Sequence, residues 1–195
     1  YWKVAVSHAN KTLENQFRKD GSCYHVVDYD PNNGAVLHRQ TAQGYADNSA
    51  WARGQAWAVY GYTVCYRYTH DRKYLDQAVK TLNFVMQNPN LPEDLIPYWD
   101  FDAPNIPNEP RDVSSAACIA SALYEMNNYL PDNGYTSLAD RIIRSLSSPK
   151  YRAPLGKNGC FLLMHSVGSI PHNNEIDVPL NYADYYFLEA LTRRK

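Results

Sequence analysis

Arg53 and Trp57 stand four residues apart in the stretch QGYADNSAWARGQAWAVYGYTVCYRY, residues 43–68. If that stretch is helical, the spacing puts both on one face. A planar guanidinium can hold a carboxylate through two parallel hydrogen bonds. An indole offers a flat apolar surface to the C–H face of a pyranose ring and excludes water. Together the two groups suit a sugar acid. The plainer alternative is that Arg53 pairs with a local aspartate and Trp57 belongs to the core, the usual place of a buried aromatic.

The element carrying them reads as a polar loop, Gln43 to Asn48, followed by a helix from about Ser49 to Thr69. Asn48 or Ser49 is placed to cap its free N–H groups. Tyr60 and Val64 continue the stripe of Arg53 and Trp57. Gly54 and Gly61 lie on another face beside Ala58 and Cys65. Each helical glycine costs about 1 kcal/mol relative to alanine, so close approach of a neighbouring helix is the expected compensation.

The 195 residues suit one domain or a fragment of one. A hydrophobic content of 45% can form a core, and a net charge of −1 with interspersed signs lacks a nucleic-acid footprint. No apolar run is long enough to span a bilayer. The chain opens on Tyr1 and reads as processed or truncated. Cys23, Cys65, Cys118 and Cys160 are far apart and read as buried thiols. The six histidines show no ligand spacing, so neither a metal nor a cofactor is expected.

Around the central helix, Tyr1 to Phe17 reads as a helix with Trp2, Val6, Ala9, Leu13 and Phe17 on its apolar side. Tyr24–Tyr29 and Ala35–Gln40 flank Asp30-Pro31-Asn32-Asn33-Gly34, a β-hairpin pattern. Lys73 to Gln87 is an amphipathic helix. Residues 88–111 form a loop with six prolines and the aromatic run Pro97–Pro104, read as an ordered lid or site wall. Asp112 caps a helix, Val113 to Leu130, whose first half is almost all small. A helix from Gly134 to Leu146 follows, then an irregular stretch, 147–177. The last helix, Val178 to Arg194, takes Pro179 in its first turn.

Short turns lead into the helices at Lys73 and Gly134; long aromatic loops lead into those at Ser49, Val113 and Val178. The long loops therefore gather at one end. Helices after long loops are rich in small or aromatic residues and suit an inner ring. The others are ordinary amphipathic helices and suit an outer one. The expected fold is all-α: an arc of an α/α toroid, three inner and three outer helices with a small hairpin.

The strings DGSCYHVVDY, QGYADNSAWARGQAWAVYGYTVCYRYT, LPEDLIPYWDFDAPNIPNEPRDVSSAA, NGCFLLMHSVG and EIDVPLNYADYYFLEAL resemble the unsaturated glucuronyl hydrolases, glycoside hydrolase family 88. The resemblance covers nearly the whole chain. It implies an (α/α)6 toroid of which residues 1–195 are the C-terminal half. The implied activity is release of a Δ4,5-unsaturated uronic acid from lyase-generated oligosaccharides. Most glycosidases set two carboxylates about the glycosidic bond. In this family an aspartic acid instead protonates C4 of a vinyl ether, water adds at C5, and the hemiketal opens. The general acid and its partner carboxylate are expected upstream of Tyr1.

The resemblance further implies substrate contacts at His25, Gln43, Arg53 and Trp57. His25 would bond a sugar hydroxyl or order the water, and Gln43 would touch the ring or its carboxylate. Arg53 would fix the carboxylate and Trp57 would support the ring. Residues Tyr98–Asp102 and His165-Ser166 are candidates for an outer subsite. The implied partner is an acidic oligosaccharide, and a half-toroid with exposed edges is expected to self-associate. The alternative is a non-catalytic α-solenoid fragment that binds acidic oligosaccharide or a protein.

Overall fold

The computed structural model describes residues 1–194. Its helices are α1 (Trp2–Asn15), α2 (Ala52–Thr69), α3 (Arg72–Gln87), α4 (Val113–Met126), α5 (Tyr135–Leu146) and α6 (Asn181–Arg193). Two antiparallel hairpins accompany them: β1 (Val26–Tyr29) with β2 (Val36–Gln40), and β3 (Ser166–Ser169) with β4 (Asn174–Val178).

α4 is the centre, and all fourteen of its residues are buried. Its small residues, from Ser114 to Ser121, let α2, α5 and α6 pack closely around it. Their hydroxyls find partners inside: Ser115 Oγ donates to the Ala52 carbonyl at 3.0 Å, and Ser121 Oγ donates to Glu189 at 2.5 Å. Asp112 starts the helix as expected, accepting from Ser114 N at 3.2 Å.

α2, α4 and α6 make the inner row, joined at its far end by ion pairs of Arg67 and Arg193 with Glu125. α3 lies against α2 and α5 against α4. Each of these outer helices buries one stripe: Leu75, Ala78, Leu82 and Val85 on α3, Ala139, Ile142, Ile143 and Leu146 on α5. α1 takes the third outer place and buries no residue completely. It is tied in by Tyr62 and Tyr74, whose hydroxyls donate to Ala9 O at 2.9 Å and Asn10 Oδ1 at 2.7 Å. The three-inner, three-outer arc expected from loop lengths is the observed architecture.

Several local expectations need correction. α2 starts at Ala52 without a side-chain cap. Ser49 Oγ donates instead to Asp100, 2.7 Å away, and the Ala52 amide donates to the Trp99 carbonyl at 3.1 Å. The cap is therefore tertiary. Gly54 and Gly61 meet no neighbouring helix: a Cβ at Gly54 would approach the Trp51 ring at 3.0 Å, and one at Gly61 would meet nothing within 4 Å. α4 stops at Met126. α6 begins at Asn181, because Val178 ends a strand and Pro179 precedes the helix. The second hairpin was not anticipated; SVGS is too short and small to show a strand period. Cys160 is exposed, unlike the buried Cys23 and Cys118.

Candidate functional site

The long loops and the start of α2 converge on Trp51. Its indole is almost fully buried and serves as a hub for three of the expected residues or their supports. The His25 ring lies 4.2 Å away at a tilt of 32°. The Trp57 indole meets it edge-on at 5.9 Å. The Arg53 guanidinium sits 4.6 Å over its face. Gly54, one turn along, leaves room for the ring. Sequence reasoning did not count Trp51 among the site residues; the signal available was a tryptophan three residues before a helical glycine.

His25 is fixed by the loop that follows its hairpin. The amides of Ala42 and Gln43 donate to its Nδ1 at 3.1 and 3.2 Å. A nitrogen that accepts two amides carries no proton, so the neutral ring holds its hydrogen on Nε2. Burial, then the nearby Arg53 charge, lowers its pKa from 6.5 to about 4. At neutral pH His25 is therefore a hydrogen-bond donor and not an acid.

Gln43 and Arg53 share one acceptor. Gln43 Nε2 donates to the Gly168 carbonyl at 3.0 Å, and Arg53 Nη2 donates to the same oxygen at 2.8 Å. They tie strand β3 to the base of the site. Arg53 Nη1 donates to Asp112 at 3.0 Å and also to the Val167 carbonyl. The guanidinium is 1% exposed. Only its Nε lacks a partner among the described residues. Nη1 is committed, Nη2 spends one of its two hydrogens on Gly168, and the unpaired Nε–H is buried with the rest of the side chain, so the guanidinium offers no exposed fork for the two-bond carboxylate grip expected from the sequence. Arg53 stands behind Trp51 as a source of positive charge.

Trp57 does face open space, with 44% of its surface exposed. It lines a cleft of about 630 Å³ between α1 and α2. His25, Trp51 and Trp57 form one end of this cleft; Gly54, Ala58 and Gly61 form its floor along α2. The face expected to pack tightly is the open one, and the arginine is the packed group. Among the described residues no aspartate or glutamate lines the cleft.

The candidate outer-subsite run is structural in most of its length. Tyr98, Trp99, Asp100 and Phe101 are buried. Asp100 accepts from Tyr45 N at 2.9 Å, besides Ser49, and Asp102 accepts from Ala50 N at 2.8 Å. The run thereby moulds residues 44–50 into the loop that enters α2. Ser166 is buried, its hydroxyl without a partner among the described residues, and His165 opens onto a separate small pocket. Among the described residues no cluster of three metal-ligating side chains occurs.

The arrangement presents an aromatic wall, one neutral imidazole donor and a buried positive charge behind the wall. Such a surface favours a ring bearing a negative charge. Among the described residues it contains no carboxyl group that could act as the acid.

No family model matches the chain. It is 50% identical over 195 residues to an unsaturated glucuronyl hydrolase of Formosa agariphila, covering 100% of this chain and 49% of that protein. Among solved structures, an unsaturated glucuronyl hydrolase specific for heparin superposes with a TM-score of 0.95 at 50% identity. That match covers 97% of this chain and 51% of the other. A mutant of the Streptococcus agalactiae unsaturated glucuronyl hydrolase, complexed with dGlcA-GalNAc6S, matches at TM-score 0.85 and 36% identity, over 100% and 52% of the two chains. The chain spans about half the length of the curated relatives it matches. In sequence and in fold, this chain is similar over its whole length to one half of the unsaturated glucuronyl hydrolases.

Proposed function

We propose that this chain is the C-terminal half of a single α/α toroid that releases Δ4,5-unsaturated uronic acid from acidic oligosaccharides. In this reading it supplies the substrate wall and leaves the acid to the other half. The observation that carries the proposal is the stack of His25, Trp51 and Trp57 over the buried Arg53, at the rim of a cleft that no carboxylate of the described residues lines. Trp57 takes the sugar face, and His25 Nε2 donates to a hydroxyl or to the attacking water. Arg53 acts through its field, and Gln43 holds the loop and β3 in register.

The lower cleft supports the domain reading. Gly54, Ala58 and Gly61 on α2 face Ala5 and Ala9 on α1 across it. Small residues at i, i+4 and i+7 make a groove that accepts a helix backbone. In the repeat seen here each inner helix has an inner neighbour on its flank, and α2 has one on the α4 side alone. The groove is where the next inner helix belongs. Alone, the chain self-associates through this groove and through the exposed Tyr185, Leu188 and Leu191 of α6.

The test is turnover of an unsaturated disaccharide, followed by loss of the conjugated double bond's absorbance. The chain alone is expected to be inactive. In the full-length protein, Trp57→Ala is expected to lower kcat/KM by tenfold or more, with circular dichroism showing that the variant keeps its helical fold. Activity of the chain alone near that of the full-length protein overturns the division of labour. Unaltered kinetics in the variant removes Trp57 from the site.

A further inference from the structure

A second pocket, of about 260 Å³, opens where loop 88–111 meets loop 147–165 and strand β4. It is lined by Pro110, Arg111, Lys150, Tyr151, His165 and Asp177. Asp112, which partners Arg53, is the next residue after Arg111 in the chain. This pocket and the aromatic cleft share no lining residue.

Its cations are held from behind. Asp94 does not line the pocket. It accepts from Arg111 Nη1 at 2.9 Å, Lys150 Nζ at 2.8 Å and the Tyr151 hydroxyl at 2.7 Å. One carboxylate thus fixes three side chains at once. Arg111 Nη1 is spent on Asp94 and on the Ile96 carbonyl. Its Nη2 and Nε donate to nothing within the described protein, and Lys150 Nζ keeps two further hydrogens beyond its bond to Asp94.

The opposite wall is a histidine–aspartate pair. His165 Nδ1 and Asp177 Oδ1 are 2.6 Å apart. With Nδ1 as donor to the carboxylate, Nε2 makes no hydrogen bond among the described residues. The Tyr151 ring stands edge-on to the imidazole at 6.3 Å. Both members of the pair have left-handed backbones, φ +69° at His165 and +56° at Asp177. Non-glycine residues in that region are strained, and such strain collects at functional sites. Here it turns both side chains toward one pocket.

We propose that this pocket binds an oxyanion, either a free sulfate or phosphate ion or the carboxylate or sulfate of an acidic sugar. Arg111 offers its free edge and Lys150 a point charge, and the His165 ring lines the wall opposite them. Asp94 screens the two cations from the rear without occupying the pocket, so an incoming anion completes their coordination. The proposal stands on this cluster and does not depend on the hydrolase reading.

The test is titration of the isotope-labelled chain with sodium sulfate, and separately with methyl glucuronoside, at constant ionic strength. The Arg111 side-chain Nε and the His165 amide are followed by NMR. Saturable shifts at both positions are expected, with millimolar dissociation constants. Lys150→Ala should weaken binding three- to tenfold, while Lys11→Ala on the exposed face of α1 leaves it unchanged. Unchanged amide spectra away from the pocket establish that each variant folds. Saturation by sulfate assigns the pocket to free or sulfo oxyanions, and saturation by the glucuronoside assigns it to a sugar carboxylate; either supports the proposal. Shifts that grow without saturation, or that Lys11→Ala reduces as much as Lys150→Ala, overturn it.

Discussion

Arg53 shows how burial changes what a residue type can do. On the surface its guanidinium would be free to clasp a carboxylate. Here Asp112 and two carbonyls of β3 bond to both terminal nitrogens. Arg53→Ala is therefore expected to act on folding first. It strands the buried Asp112 carboxylate, which by the usual cost of breaking a buried pair is about 3–5 kcal/mol. Urea denaturation at neutral pH measures it; a loss below about 1 kcal/mol, with intact structure, would make Arg53 a surface-like binding residue after all. His25 carries the opposite lesson. Its folded pKa of about 4 lies below the ordinary 6.5. The unfolded chain thus binds more protons between these values, and stability falls as pH drops from 6.5 toward 4. Replacing His25 with asparagine should flatten that part of the pH–stability curve. An equal slope in wild type and variant, read from urea midpoints between pH 7.5 and 4.5, would show the ring to be freely titrating.

At the scale of elements, α2 is judged by its two glycines. Gly61 has open space where a Cβ would go, whereas Gly54 is pressed by the Trp51 ring. In the isolated chain Gly61→Ala should stabilise by about 0.5–1 kcal/mol, the helix-propensity gain. Gly54→Ala should destabilise, because Trp51 is wedged between His25 and Arg53 and cannot retreat. Thermal melts of both variants check the pair. In the full-length protein the Gly61→Ala gain should vanish, since a helix in the groove would meet the added methyl. A persisting gain there would leave the groove empty and count against the domain reading. The hairpins matter at this scale too. β1–β2 delivers His25, and β3 delivers the Gly168 carbonyl that Gln43 and Arg53 share.

For the whole molecule the arc itself is the issue. α1 and α6 end it with large apolar side chains in water, Trp2 and Val4 at one edge and Tyr185, Leu188 and Leu191 at the other. Light scattering is expected to show concentration-dependent association of this chain. A clean monomer across the micromolar range, melting cooperatively, would mean that the edges are stable as they stand.

The sequence by itself determined the period and order of the helices, the hairpin before α2 and the all-α arc. Loop lengths, with the small and aromatic residues of the helices that follow long loops, set which helices are inner. These follow from local patterning, because apolar spacing and turn residues act within a few neighbours along the chain. The family resemblance also named His25, Gln43, Arg53 and Trp57; the fold gathers His25, Arg53 and Trp57 about the Trp51 indole and bonds Gln43 to His25 and to β3. Tertiary structure decided which face of α2 is open, that Trp51 is the hub, and that Arg53 is consumed from within. Those facts depend on Asp112, Val167 and Gly168, which lie 59, 114 and 115 residues away. Helical spacing says which side chains share a face. What that face meets is set by partners distant in the chain, and hydrogen bonds to them decide whether a charge is free for a ligand.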